Sequence, residues 1–218
     1  MTELTVPSAA HRGRYLATAL DTGLQVGVDE FEISRGPAGW RLWSRHTSFG
    51  AEAGPGHVAL FELDAAWVPL HLEVTSTSGT GLVAEFGLRR TVLHVRRDGG
   101  GGSAREERIA LPVGRYDALV LLAGGLSLPL LAVRRALDLG CGAALQLRLL
   151  PDGLCELRRE RDRAPEAGSP SLRLFDMSLI VGADRDRLRL AVDGRDDLVR
   201  FHARNRNLLV ELDTAGAC

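Results

Sequence analysis

The chain lacks lysine altogether, since all 27 of its basic residues are arginine. Without lysine it cannot form a Schiff base with a carbonyl substrate, and it has no Walker-type phosphate lysine. The 28 acidic residues bring the formal net charge to −1, whereas a nucleic-acid-binding protein usually carries a basic surplus or a basic patch. We therefore expect no nucleic-acid partner.

Cysteine is scarce, and histidine shows no metal-binding pattern. Cys141, Cys155 and Cys218 are irregularly spaced and include no Cys-x-x-Cys pair, so neither a disulfide framework nor a zinc framework is expected. The six histidines show neither His-x-His nor His-x-x-x-His spacing. Because a metal site needs two or three ligands that converge on one point, we predict no metal site, and we expect no cofactor.

Long apolar runs are missing as well. The most apolar stretch, Ala118–Val133, is shorter than a bilayer-spanning helix and is interrupted by Gly124, Gly125 and Pro129. The first residues, Met1–Ala10, lack the cationic start and apolar stretch of a signal peptide. These features, together with the few cysteines, predict a cytoplasmic protein without a membrane span.

Short apolar alternation between turn residues dominates the chain and predicts β-strands. In one such segment, Leu70, Leu72 and Val74 alternate with polar residues; in another, a turn at Gly36-Pro37-Ala38-Gly39 is followed by the return strand Trp40–Ser48. About a dozen such strands without βαβ alternation predict one large antiparallel sheet that curls or closes. We expect a single domain over residues 1–218, in which about ten N-terminal residues and the last few are flexible.

One segment has a different period. Leucine and valine recur from Leu119 to Leu137 at spacings of three and four, which is typical of an apolar helical stripe. Asp117 would cap its start, and Gly140 would end it. The fold class that we predict is therefore mainly β, with a short helical insertion near residues 117–139.

The order of these features resembles a bacterial glycolipid-binding family with a spiral β-roll, and related lipoprotein-carrier-like β half-barrel proteins. The segments that carry the resemblance lie between Gly23 and Phe201; they are Gly27–Glu30, Leu60–Trp67, Leu70–Val74, Leu128–Arg135, Val192–Gly194 and Leu198–Val199. The resemblance implies a concave sheet covered by the helical segment. An apolar cavity would lie between the two.

Such a cavity would bind an apolar or amphipathic small molecule, which could be a glycolipid. A ligand site of this kind is mostly apolar with a few polar groups that orient the ligand. Tryptophan suits the mouth of a pocket, the apolar stretch after Tyr116 suits a lid, and arginine pairs such as Arg89-Arg90 and Arg134-Arg135 could hold an anionic head group. The residues that we predict to bind ligand are Trp40, Trp67, His71, Arg90, Tyr116, Leu126, Leu130 and Arg134. Trp40 and Trp43 are three residues apart, so a strand would direct them to opposite faces.

Two alternatives remain open. The first is an enzyme that acts on a hydrophobic intermediate in the same cavity, although there is no Gly-x-Ser-x-Gly elbow and no catalytic residue is assigned. Glu30 and Glu32 share a strand face, which acid–base chemistry requires and which a solvated surface explains equally well. The second is an interaction module without a ligand, in which the same aromatic and apolar residues simply pack the core.

Overall fold

The computed structural model describes residues 11–50, 56–65, 69–76, 81–86, 91–98, 104–111, 120–122, 141–142, 144–150, 154–164, 171–194 and 197–213. Every regular element within these ranges is a β-strand. The strands are β1 (His11–Ala19), β2 (Gln25–Arg35), β3 (Gly39–Ser48), β4 (His57–Asp64), β5 (Pro69–Ser76), β6 (Gly81–Phe86), β7 (Thr91–Asp98), β8 (Ala104–Leu111), β9 (Val120–Leu122), β10 (Ala144–Leu150), β11 (Leu154–Arg163), β12 (Arg173–Val181), β13 (Asp184–Val192), β14 (Leu198–Ala203) and β15 (Leu208–Leu212).

These fifteen strands form one sheet in the order β8-β7-β6-β5-β4-β3-β2-β1-β15-β14-β13-β12-β11-β10-β9. Two meanders of consecutive hairpins, β1 to β8 and β10 to β15, meet in its middle, where β1 pairs antiparallel with β15. The described sheet is not closed, since β8 and β9 are its outermost strands. The prediction of a mainly β protein with one large antiparallel sheet is confirmed.

The segment predicted as a helical insertion is described at three residues only. Val120–Leu122 is extended and pairs with Arg148–Leu150 in the one parallel ladder of the described sheet. A short apolar run suits a buried strand as well as a helix, and apolar spacing alone does not distinguish the two. Residues 117–119 and 123–139 lie outside the described ranges. Within those ranges no helix has the length and apolar composition needed to cross a bilayer.

Alternation along each strand separates a buried face from an exposed one. On β3, Trp40, Leu42 and the two polar residues that follow at the same parity are buried, whereas the residues between them face solvent. Trp40 is 2% exposed and Trp43 is 37% exposed, so the prediction that they occupy opposite faces is confirmed. The period of two in the sequence is thus the direct cause of the sheet's two faces.

The centre of the buried face is a lateral row with one apolar residue on each of four neighbouring strands. Ile33, Leu42, Phe61 and Leu72 are successive cross-strand partners, and all four are buried. Burying a side chain of this size contributes about 1.5–3 kcal/mol. This row therefore holds β2 to β5 together more strongly than any single polar contact on the same strands.

Phe31 fixes the junction of β1 and β2. Its ring stacks on Tyr15 with 5.0 Å between ring centroids, and it lies over Gly13, where an added Cβ would meet Phe31 Cζ at 2.6 Å. The Tyr15 hydroxyl donates a 2.8 Å hydrogen bond to the Leu198 carbonyl of β14. Because β15 lies between β1 and β14, this bond ties the two meanders together across their junction.

Among the glycines in the described ranges, Gly39 is the one at which a side chain would clash most closely with its surroundings. A Cβ at this position would lie 2.3 Å from the backbone carbon of Asp64 on β4, whereas a Cβ at Gly36 in the same turn would meet nothing closer than 3.6 Å. We expect Gly39→Ala to lower the free energy of unfolding by about 1–3 kcal/mol or more, because the clash is with backbone. Gly36→Ala, the matched control, should change it by less than about 0.5 kcal/mol. Urea unfolding of both variants is the measurement, and equal effects would contradict the close approach of β3 and β4 at this point.

Candidate functional site

A row of polar side chains crosses the mostly apolar face of the first five strands. Tyr15, Asp29, His46, His57 and Ser76 are successive cross-strand partners on β1 to β5. Asp29 is 0% exposed, and His46 and His57 are each 7% exposed. Directly opposed residues in an antiparallel ladder have neighbouring Cβ atoms, so the ladder itself brings these groups together. We call Asp29, His46 and His57 the buried polar row.

His46 lies at the centre of the buried polar row. Its Nε2 is 2.9 Å from the Ser48 hydroxyl oxygen, within hydrogen-bonding distance. Its Nδ1 is 3.8 Å from Asp29 Oδ2, which is too long for a hydrogen bond. One nitrogen of the ring is thus anchored by its own strand, and the other faces a carboxylate without bonding to it.

His57 stacks against His46 from the next strand. The ring centroids are 5.1 Å apart and the planes differ by 29°. Nε2 of His57 and Nδ1 of His46 are buried and have no hydrogen-bond partner within the described residues. A buried polar atom left without a partner costs about 1–3 kcal/mol. The fold therefore carries two unsatisfied polar atoms side by side on its apolar face.

Both imidazoles are held in the neutral form. Burial lowers the pKa of His46 below its usual value, because it penalises the charged ring. Burial also lowers the pKa of His57, and the neighbouring His46 lowers it further, against the opposing attraction of Asp29. A neutral imidazole has one donor nitrogen and one acceptor nitrogen. The pair can therefore both donate to and accept from a group that reaches it.

Apolar residues surround the buried polar row. On one side, the next residues on the same face are the buried Phe31, Ala59 and Val74, and the buried Ser44 lies between Phe31 and Ala59 in this ladder. Gly27 lies on the other side of Asp29, and a Cβ there would be 3.4 Å from the His46 ring. Within the described residues, no group of three or more His, Cys, Asp or Glu is arranged to hold a metal ion.

The structure describes two of the eight residues predicted to bind ligand. Trp40 is fully buried, and the Arg35 guanidinium lies 4.0 Å from its ring centroid. His71 is half-buried on β5, at the parity opposite to the buried Leu72, so it lies on the other face of the sheet from Trp40. The structure therefore does not bring these two together. Trp67, Arg90, Tyr116, Leu126, Leu130 and Arg134 lie outside the residues whose side chains are described.

Sequence reasoning treated the histidines as scattered and missed the buried polar row. A signal was nevertheless present in the sequence, because residues separated by an even number of positions on a strand lie on the same face. Asp29 shares the parity of Phe31, His46 that of Leu42, and His57 that of Phe61, and in each case the apolar residue marks the inward face. A polar residue at an inward parity on three consecutive strands indicates a buried polar cluster.

Comparisons with protein-family models, with curated proteins and with solved structures find no match to this chain. The resemblance to the glycolipid-binding family therefore stays a prediction.

The lowered pKa values of the two histidines make stability depend on pH. Above about pH 6.5 the imidazoles are neutral in both folded and unfolded chains, so they contribute no pH dependence. As the pH falls below this value, unfolded histidines bind protons that the folded chain excludes, and the free energy of unfolding decreases. We expect the melting temperature to fall steadily from about pH 6.5 to pH 5. The double variant His46→Phe/His57→Phe should flatten this decline, and an unchanged slope would contradict the neutral, buried state of the pair.

Proposed function

We propose that this protein binds an apolar or amphipathic small molecule against the buried face of the sheet, with the buried polar row supplying the polar contacts. Sites for such molecules are mostly apolar and contain a small number of placed polar groups. The row fits this description, because three ionisable or polar side chains lie among apolar ones on three adjacent strands. A cytoplasmic location stays part of the proposal.

The observation that carries the proposal is the pair of unsatisfied imidazole nitrogens, His46 Nδ1 and His57 Nε2. Buried polar atoms in native proteins nearly always have a partner, and an exception calls for an explanation. A hydroxyl group both donates and accepts hydrogen bonds, so a single ligand hydroxyl could complement a neutral donor nitrogen and a neutral acceptor nitrogen together. We therefore favour a ligand with an apolar body and a hydroxyl-bearing end, as a glycolipid has.

A second candidate function is catalysis on such a ligand. The specific observation in its favour is a neutral histidine, His46, whose free nitrogen lies 3.8 Å from a fully buried carboxylate, Asp29. A neutral imidazole beside a carboxylate can accept a proton and be stabilised once charged. A binding protein returns its ligand unchanged, whereas an enzyme releases a product of different mass.

The variant His57→Phe tests the binding proposal. We expect His57→Phe to abolish retention of a co-purified small molecule, seen as the loss of a ligand-bound mass in native mass spectrometry. We also expect the melting temperature to rise by several degrees, because about 1–3 kcal/mol of unsatisfied polarity is removed.

His71→Phe is the matched control, because it makes the same substitution on the opposite face of the sheet. It should leave ligand retention unchanged. If His57→Phe retained the ligand, or if His71→Phe lost it, the buried polar row would not be the polar part of the site.

A further inference from the structure

A groove lined by arginines lies on β11, β12 and β13, with Arg204 contributed by the turn that follows β14. The groove has a volume of about 360 Å³, and its arginines are Arg161, Arg163, Arg185, Arg187, Arg189 and Arg204. Two carboxylates, Glu160 and Asp176, also line it. Six positive charges against two negative ones leave a surplus of four. We call this surface the basic groove.

The alternation of β13 builds the floor of the basic groove. Arg185, Arg187 and Arg189 occupy every second position, while Leu188 and Leu190 at the other parity are buried. Since successive strand residues point to opposite faces, burying the leucines directs the three arginines to one surface. The arginines are therefore positioned by the packing of the sheet rather than by contacts with one another.

Neighbouring strands neutralise only part of this charge. Asp176 on β12 accepts hydrogen bonds from Arg161 at 2.8 Å and from Arg163 at 3.1 Å. Burial by itself would raise the pKa of Asp176, but the two arginines outweigh it and hold the pKa below its usual value. Arg185 donates to the Ser178 hydroxyl at 2.9 Å and pairs with Glu160.

The remaining arginines have unused hydrogen-bonding capacity. Within the described part of the chain, the side chains of Arg187 and Arg204 form no hydrogen bond or ion pair, although the two residues are joined by a 3.0 Å backbone hydrogen bond. Arg189 Nε is buried without a hydrogen-bond partner, 3.6 Å from Asp176. Arg187, Arg189 and Arg204 thus all line the groove, and the guanidinium groups of Arg187 and Arg204 have no partner within the described residues.

His202 lies beside the arginines of the basic groove. It lies opposite Arg189 in the ladder between β13 and β14. Burial lowers its pKa, and the positive charges of Arg204 and Arg189 lower it further. A neutral histidine adds no charge of its own, so the surplus of positive charge in the groove is set by the arginines.

We propose that the basic groove is a binding site for a small molecule that carries several phosphate charges. Guanidinium forks match the geometry of phosphate oxygens and bind them through paired hydrogen bonds. The volume is that of a site for one small ligand. None of the described residues that line the groove is aromatic, whereas single-stranded nucleic acids are usually bound with aromatic stacking. This site lies on the face opposite to the buried polar row and does not depend on the function proposed for that row.

Titration calorimetry of the full chain with inorganic pyrophosphate tests the proposal, with inorganic phosphate as the weaker probe. We expect pyrophosphate to bind more tightly than phosphate, and binding to weaken as salt is added, because the contacts are ionic. Arg187→Ala/Arg204→Ala should weaken pyrophosphate binding by about tenfold or more, as the loss of charge-assisted hydrogen bonds predicts. Arg187→Lys/Arg204→Lys should restore part of the affinity, because it keeps the charge without the fork.

Arg12→Ala/Arg41→Ala is the matched control, since it removes the same charge from exposed positions on β1 and β3. It should change the affinity by less than about twofold. The proposal is overturned if pyrophosphate does not bind at low salt, or if the control variant weakens binding as much as Arg187→Ala/Arg204→Ala.

Two further experiments distinguish a free phosphate compound from a lipid head group and from a nucleic acid. Vesicles that contain phosphate-monoester lipids should compete with pyrophosphate if a lipid head group can enter the groove, and zwitterionic vesicles should not. Binding of a mixed-sequence oligonucleotide without binding of pyrophosphate would overturn the assignment of a small ligand. Since His57→Phe should leave pyrophosphate binding intact, failure of one proposed site is distinguishable from failure of the other.

Discussion

The register of the first five strands is the constraint on which the buried face depends. A slip of one residue in a strand exchanges its two faces. On β3, such a slip would move Leu42 to solvent and bring the charged Arg41 into the core, where an unpaired ion is very costly. The apolar row through Phe61 therefore penalises every pairing that is shifted by an odd number of residues. The same register fixes the pairs four residues away, so His46 lies opposite His57 because Leu42 lies opposite Phe61.

This dependence explains how a stable sheet carries polar groups in its interior. The apolar row supplies several favourable burials, each about as large as the penalty for one unsatisfied nitrogen. His46 and His57 can thus remain buried and neutral without a partner from the described chain. Alternation also sets the outer face of β13. Because Leu188 and Leu190 are buried, Arg185, Arg187 and Arg189 at the alternate positions lie on the opposite face.

The sequence predicted the architecture better than the site. Period two and the glycine-rich turn at Gly36–Gly39 indicated the sheet and the hairpin of β2 and β3, since both are local properties of the chain. Within the helical stripe predicted from Leu119 to Leu137, the three described residues Val120–Leu122 form a strand, because pairing with β10 is a long-range contact that spacing does not encode.

Long-range register also explains why the sites escaped prediction. Asp29, His46 and His57 lie on three different strands. That they are cross-strand partners becomes evident only once the register of those strands is known. The arginines predicted to hold a head group were adjacent pairs such as Arg89-Arg90, whereas the arginines of β13 that line the basic groove are two residues apart, as residues on one strand face are. The spacing of two from Arg185 to Arg189 places these arginines on one strand face. That this face is the outer one becomes known only once Leu188 and Leu190 are seen to be buried.

The position of β15 has a consequence for how the molecule is made. Each meander can form from hairpins between neighbours in sequence, but the seam between them joins Tyr15 to Leu212. During synthesis, the first meander must wait with an open edge at β1 until Leu208–Leu212 has left the ribosome, and domains ordinarily fold as units. An open strand edge is a template for pairing with other chains. The nascent polypeptide therefore exposes, at β1, a strand edge that β15 covers in the finished sheet.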